Sequence, residues 1–222
     1  MSRLRGGRLI LDTPFGRRLY RVAMDVMAVG VKGIEAICAD QGVGHAVVFV
    51  HGWGAWHRYW RFLWPRVVPR FRSLAVDLPG FGLSEKPAVD YTVEWLAEWL
   101  VGLLDAKGIG RAVLVGHSMG GMISTLVAAR HPERVERLVT LNAPVHGATA
   151  FPPRIRMLTA PGVRAVCRGL MGIPPVLRWL TRDFTSTRPL DDEDLEPIRM
   201  ASYRALVGTM MSMKETDVSV MG

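Results

Sequence analysis

LVGHSMGGM, residues Leu114–Met122, sets a serine among glycines at the point where an apolar run stops. The residues leading into it, AVLVG from Ala112 to Gly116, form a short continuous apolar run, as expected of a strand buried on both faces of a parallel sheet. The residues after it, 119–130, read as a helix that ends before His131-Pro132. Gly116-His117-Ser118-Met119-Gly120 is therefore a G-x-S-x-G placed between a strand and a helix. So tight a turn holds its serine in a strained conformation, and the glycines let neighbouring backbones cross without clashes. Ser118 would present its Oγ at the rim of the sheet, with the N–H groups of the helix start facing a developing oxyanion. A glycine-rich turn with a capping serine is the plainer reading, and a pentapeptide alone leaves it open.

Working outward, the same strand–helix alternation continues. Residues 29–39 and 45–50 read as strands joined by a turn at Gln41-Gly42-Val43-Gly44, and residues 73–77 as a short buried strand closed by LPGFG. Between them, HGWGAWHRYWRFLWPRV is a loop running into a helix. Residues 91–107 predict an amphipathic helix, with Trp95, Leu96, Trp99, Leu100, Leu103 and Leu104 at three- and four-residue spacing. Thr92 suits its N-cap and Gly108 its end. Residues 137–142 are a further strand. This pattern predicts an α/β fold built on a parallel sheet, whose ligands bind beyond the carboxyl ends of the strands. Residues 51–53, 78–82, 116–120 and 142–147 then lie along one rim.

The chain divides into a basic N-terminal extension (1–27) with one short helix, a core (28–144), and a helical lid or cap (145–222) punctuated by prolines. The acidic run from Asp191 to Asp194 suits the start of the last long helix, where carboxylates meet the positive end of the dipole.

Composition bounds the function classes. The chain has 222 residues, 49% hydrophobic and 22% charged, which fits one sizeable globular domain. Cys38 and Cys167 lie far apart and outside metal-binding spacings, so neither a metal nor a disulfide framework is expected, and no cofactor is implied. The net charge is +8, but its arginines are scattered without a nucleic-acid motif, and no nucleic-acid partner is expected. No run reaches the ~18–20 apolar residues of a membrane span. A cytoplasmic location is the expectation. Peripheral membrane association, resting on VRAVCRGLM and PPVLRWLTR, is disfavoured, since such helices also make lids over apolar pockets.

Three motifs occur in order: HGWG (His51–Gly54), VDLPGFGLSEKP (Val76–Pro87) and GHSMGG around Ser118. Together they resemble the α/β-hydrolase family, of the serine esterase and lipase kind, from about Ala28 to Gly222. The resemblance implies a mostly parallel sheet with helices on both faces and a helical lid. It implies Ser118 as nucleophile in acyl transfer to water, through an acyl-enzyme, on an ester, thioester, lactone or activated carbon–carbon bond. Relatives that place an aspartate at this position, the dehalogenases and epoxide hydrolases, are disfavoured by the serine. The backbone N–H groups of Trp53 and Met119 are the implied oxyanion donors, beside Gly52. Phe151 and the segment holding Leu177 and Leu180 would bind an apolar acyl substrate. Asp77 is structural in relatives.

The base is missing from this pattern. The family orders its triad as serine, then acid, then histidine. After Ser118 come only His131, in the His-Pro turn, and His146, on the correct rim. Glu133 and Glu136 precede a strand that spans ~20 Å and so sit at its wrong edge. His45, His51, His57 and His117 fall before or beside the serine. The resemblance implies that two further strands with their helices, on the order of 45–60 residues, carry the acid and histidine beyond residue 222. The alternative is a non-catalytic or inactive truncated relative used for binding.

Overall fold

Strands rich in Val, Leu and Ala assemble the six-stranded sheet that organises the molecule. The computed structural model describes residues 24–147, 173–181 and 192–219 (the side chains of Pro174 and Leu180 excepted), positions 151 and 156, and the backbone of 2–5, 8–13 and 16–21. The main sheet comprises β4 (Val26–Val31), β5 (Ile34–Gln41), β6 (Ala46–Val50), β7 (Arg72–Val76), β8 (Ala112–His117) and β9 (Val135–Leu141), in the order β4-β5-β7-β6-β8-β9. The pairs β7–β6, β6–β8 and β8–β9 are parallel, while β5 runs antiparallel to both β4 and β7. A mostly parallel sheet is thus present. All five residues of β6 are buried, which is why its sequence shows no alternation.

Two expectations are corrected. Residues 29–39 are not one strand but the hairpin β4–β5, turned at Lys32 (φ 50°) and Gly33 (φ 79°). Positive φ at both central residues makes a turn that matches strand twist, and lysine gives little sequence warning of it. The N-terminal extension carries no helix among its described residues. It pairs β1 (Ser2–Arg5), β2 (Arg8–Thr13) and β3 (Gly16–Arg21) in an antiparallel sheet. Ile10, Thr13 and Tyr20 favour extended backbone, a preference masked by the many arginines around them.

Helices cover both faces of the main sheet. One face meets α2 (Val93–Ala106) and α3 (Met119–Arg130) through a core that includes Leu96, Trp99, Leu100, Leu103, Met122 and Leu126. The other buries Met24, Phe49, Trp60, Trp64, Ala75 and Val115, the two tryptophans coming from a 3-10 turn (His57–Trp60) and the one-turn α1 (Trp64–Val67). Thr92 caps α2 as expected, its side chain accepting from Trp95 N–H, and Gly108 follows the helix at φ 63°. Thr92→Ala should lower stability by about 1 kcal/mol, read as a shift in the urea midpoint at unchanged slope.

After β9 the described chain is helical: α4 (Pro174–Thr181), α5 (Asp192–Met200) and α6 (Tyr203–Glu215). Asp192, Glu193 and Asp194 occupy the first turn of α5, where the dipole favours them. At the sheet edge, Leu138, Val139 and Leu141 of β9 are each about two-fifths exposed.

Candidate active site

The link between β8 and α3 is one residue long. Ser118 takes φ 51° and ψ −119°, outside the allowed L-residue regions. It is held there from both sides. Its N–H donates to Leu141 O of the neighbouring strand at 3.0 Å, and its carbonyl accepts from Gly121 N–H (2.9 Å) and Met122 N–H (3.2 Å). The glycines make the crossing sterically feasible. A Cβ on Gly116 would strike the Gly120 carbonyl, and one on Gly121 the Ala143 side chain. Ser118 thus sits on a strand-to-helix corner, with Met119 N–H the first backbone donor of the helix that follows it.

The loop after β6 faces this corner. His51 is fully buried; its Nε2 accepts from Leu78 N–H at 3.0 Å and its Nδ1 lies 2.8 Å from Gly52 O. Both bonds are satisfied together by a neutral imidazole with its proton on Nδ1, and burial pushes the His51 pKa down, against the pull of Asp77. Because the peptide is planar and trans, a Gly52 carbonyl pinned by His51 turns the Trp53 N–H to the opposite side. The Trp53 indole is anchored separately, donating to Leu206 O at 2.8 Å and meeting Phe151 edge-on at 5.3 Å. Gly52 approaches the corner so closely that a Cβ there would lie 3.2 Å from Ser118 Cβ.

Asp77 ties this loop to the next. Fully buried at the end of β7, it accepts from His57 N–H, from His57 Nδ1 (2.9 Å) and from Leu83 N–H (2.8 Å). Burial works against its charged form, yet His57 and these donors hold its carboxyl below the usual range. Its ligands are all structural, and it does not line the cleft around Ser118.

That cleft encloses about 500 Å³. Gly52, Trp53, Ser118 and Phe151 line it, and so do Pro197 and Ile198 of α5. Leu177 lies elsewhere: it is fully buried within α4 and is not among the lining residues. The Leu180 side chain falls outside the described residues. The sequence missed the charged lining, Arg58 and Arg61 opposite Glu193 and Asp194, with Arg58 and Glu193 3.6 Å apart.

Among the described residues the imidazole lining the cleft is His117. It stacks on Tyr59 (centroids 4.5 Å, planes 23° apart), its Nδ1 is buried without a hydrogen-bond partner among the described residues, and burial lowers its pKa. Three further histidines engage carboxylates: His57 with Asp77, His45 with Glu136, His131 with Glu98. His146 has a partner that ordered reading passed over. A short antiparallel bridge joins residues 145–147 to 216–218 and brings His146 Nδ1 3.1 Å from Asp217 Oδ2. The family order places the acid ahead of the histidine, and Asp217 lies 71 positions after His146, so sequence order gives no sign of this pair. Among the described residues no cluster of three His, Cys, Asp or Glu could hold a metal, and no helix is long and apolar enough to cross a membrane.

Comparisons with known proteins agree on the architecture. The family model described as "alpha/beta hydrolase fold" matches residues 45–162. The chain is 41% identical over 116 residues to 2-hydroxymuconate semialdehyde hydrolase of Pseudomonas sp. (strain CF600), covering 50% of this chain and 41% of that one. It is 38% identical over 101 residues to pimeloyl-[acyl-carrier protein] methyl ester esterase of Aeromonas hydrophila, covering 45% of this chain and 38% of that one. The chain thus spans about two-fifths of the length of the curated relatives it matches. A crystal structure of a hydrolase from Pseudomonas aeruginosa PA01 superposes with TM-score 0.67 at 25% identity, over 89% of this chain and 75% of that one. A family model matched over more than half of the residues, a six-stranded mixed sheet and a strained serine at its β8–α3 corner lead to one conclusion: the chain belongs to the alpha/beta hydrolase fold family.

Proposed function

We propose that this chain carries the nucleophile of a serine hydrolase that cleaves an ester-type bond, a carboxylic ester, thioester or lactone, through an acyl-enzyme on Ser118. The observation that carries this is the backbone of Ser118, φ 51° and ψ −119°, held by three hydrogen bonds beside the loop that carries Trp53. Strain maintained on a cleft-lining serine exposes its Oγ for attack. In the reaction, Ser118 Oγ bonds to the acyl carbon and its proton goes to a base. The carbonyl oxygen gathers charge between the N–H groups of Trp53 and Met119, and the leaving group departs with a proton. Water then repeats the sequence to release the acid. One curated relative is named for hydrolysis of a semialdehyde and another for a methyl ester; the ester reading is the one taken here, with an apolar acyl body set against Trp53 and Phe151.

A second reading of the base rests on the His146–Asp217 couple, an imidazole oriented by a carboxylate two residues past the cleft-lining Pro144. A fluorophosphonate probe serves both readings. Labelling at Ser118, confirmed by peptide mass and abolished by Ser118→Ala, is the expected result. Absence of labelling on a folded chain overturns the proposal. A fall in labelling rate of about a hundredfold or more for His146→Ala, the scale of a general base's contribution, would move the base to His146.

A further inference from the structure

Residues 57–72 read HRYWRFLWPRVVPRFR, five arginines with no carboxylate. The segment winds in consecutive turns: Arg61 N–H donates to Arg58 O, Leu63 to Trp60, Arg66 to Leu63, Val68 to Trp64 and Arg70 to Val67, at 2.9–3.1 Å. One side of this irregular helix is core, with Trp60 and Trp64 buried against Phe49. The other side is a ridge. Tyr59, Phe62, Leu63, Arg66 and Arg70 follow at three- and four-residue spacing, and Tyr59, Phe62 and Leu63 are 42%, 70% and 37% exposed. Phe71 extends the ridge, and Val43 adjoins it, because Gly42 packs directly against the carbonyls of Val68 and Phe71. Arg61 lies over the Phe62 ring at 4.4 Å, and Arg66 Nη1 donates to Phe62 O at 2.6 Å. Two of the five arginines already face acids, Arg58 towards Glu193 and Arg72 on Asp40. Arg66 and Arg70 stand exposed beside the apolar side chains.

We propose that this ridge is a docking surface for an anionic lipid bilayer. An exposed aromatic and aliphatic crest flanked by cations, with no acid across sixteen residues, complements a negatively charged headgroup layer with an apolar interior. Arginine stems lie along the apolar crest while their guanidinium groups reach the phosphates. The ridge is continuous with the cleft, since Tyr59 and Arg61 belong to both. Docking there would set the mouth of the cleft against the membrane, where apolar acyl groups are concentrated. The surface is distinct from α4, which the sequence singled out and which also exposes an aromatic residue, Trp179. The proposal does not depend on the chemistry of Ser118.

Flotation of the 222-residue chain with vesicles tests it. Vesicles of phosphatidylcholine with phosphatidylglycerol should carry the chain upward, those of phosphatidylcholine alone should not, and about 1 M salt should release it. Each cation near an anionic leaflet is worth about fivefold, so Arg66→Ala with Arg70→Ala should weaken partitioning about twenty- to thirtyfold. Phe62→Ser should weaken it about tenfold or more through lost apolar burial. Trp179→Ser should change nothing. All these side chains are exposed, and circular dichroism checks that the variants fold. The proposal is overturned if the chain ignores mixed vesicles, if Phe62→Ser leaves binding intact, or if Trp179→Ser abolishes it. It is equally overturned if an oligonucleotide binds as tightly as the vesicles do, which would make the ridge a general polyanion site.

Discussion

Gly120→Ala should unfold the chain or cost roughly 3 kcal/mol or more, a large share of the ~5–15 kcal/mol available to a domain. The reason is steric and local. A Cβ at Gly120 would overlap the carbonyl oxygen of Val50 and come 2.6 Å from that of His51. Those carbonyls end β6, which is fully buried and paired on both sides, to β7 and β8, so it cannot step aside. No left-handed backbone is involved at this glycine, so the whole cost is the contact. Gly110→Ala is the matched control: a Cβ there meets nothing within 4 Å, and the change should be neutral or slightly stabilising. Urea titration followed by tryptophan fluorescence reads both. Were Gly120→Ala as stable as Gly110→Ala, α3 would not start against the end of β6, and the adjacency of Ser118 to the Trp53 loop would fall with it.

The elbow was legible because its physics is local. A strand, a helix and glycines at fixed positions determine that Ser118 is forced out of ordinary backbone geometry, and each part is visible in nine residues. The Thr92 cap and the periodicity of α2 were legible for the same reason. Reading failed where partners are distant in sequence or where a residue acts outside its usual habit. Lys32 turns the β4–β5 hairpin at positive φ, although lysine is no turn signal. Leu177 looked like a lid residue that touches substrate, but its burial follows from packing that no short window contains. Asp217 meets His146 across 71 positions through a bridge of a few backbone bonds. The charged side of the cleft was missed likewise: Arg58 and Glu193 come from elements that only the tertiary fold brings together.

Asp77→Asn is the second change with a large expected effect, and it shows why this buried carboxylate belongs to the scaffold. Its two oxygens accept from three N–H groups, two on His57 and one on Leu83, and a Cβ on Gly82 would collide with them. Asparagine has one accepting oxygen. If that oxygen serves His57, the amide NH₂ faces Leu83 N–H, donor against donor, and a charge-assisted set is lost as well. The expected cost is roughly 2–4 kcal/mol. The pH profile separates this from a simple packing defect. The Asp77 carboxyl is held below its ordinary value in the fold, so the unfolded chain takes up that proton first as pH falls. Its stabilisation is fully present above about pH 4 and is lost as pH drops through the folded value. His51 and His117 are also depressed, so their contribution is present above about pH 6.5 and declines below it. Wild-type stability should therefore fall in two stages on acidification. Asp77→Asn should keep the upper stage, deepened where His51 loses the pull of Asp77, and flatten the lower by close to one proton, leaving the part due to Asp40, which Arg72 and Lys107 hold down against its burial, and to Asp217, which Ser219 holds down. Urea midpoints measured from pH 7 to pH 3 decide it. A lower stage as steep in the variant as in the wild type would mean that Asp77 is not the carboxylate that staples the His51–His57 loop to the sheet.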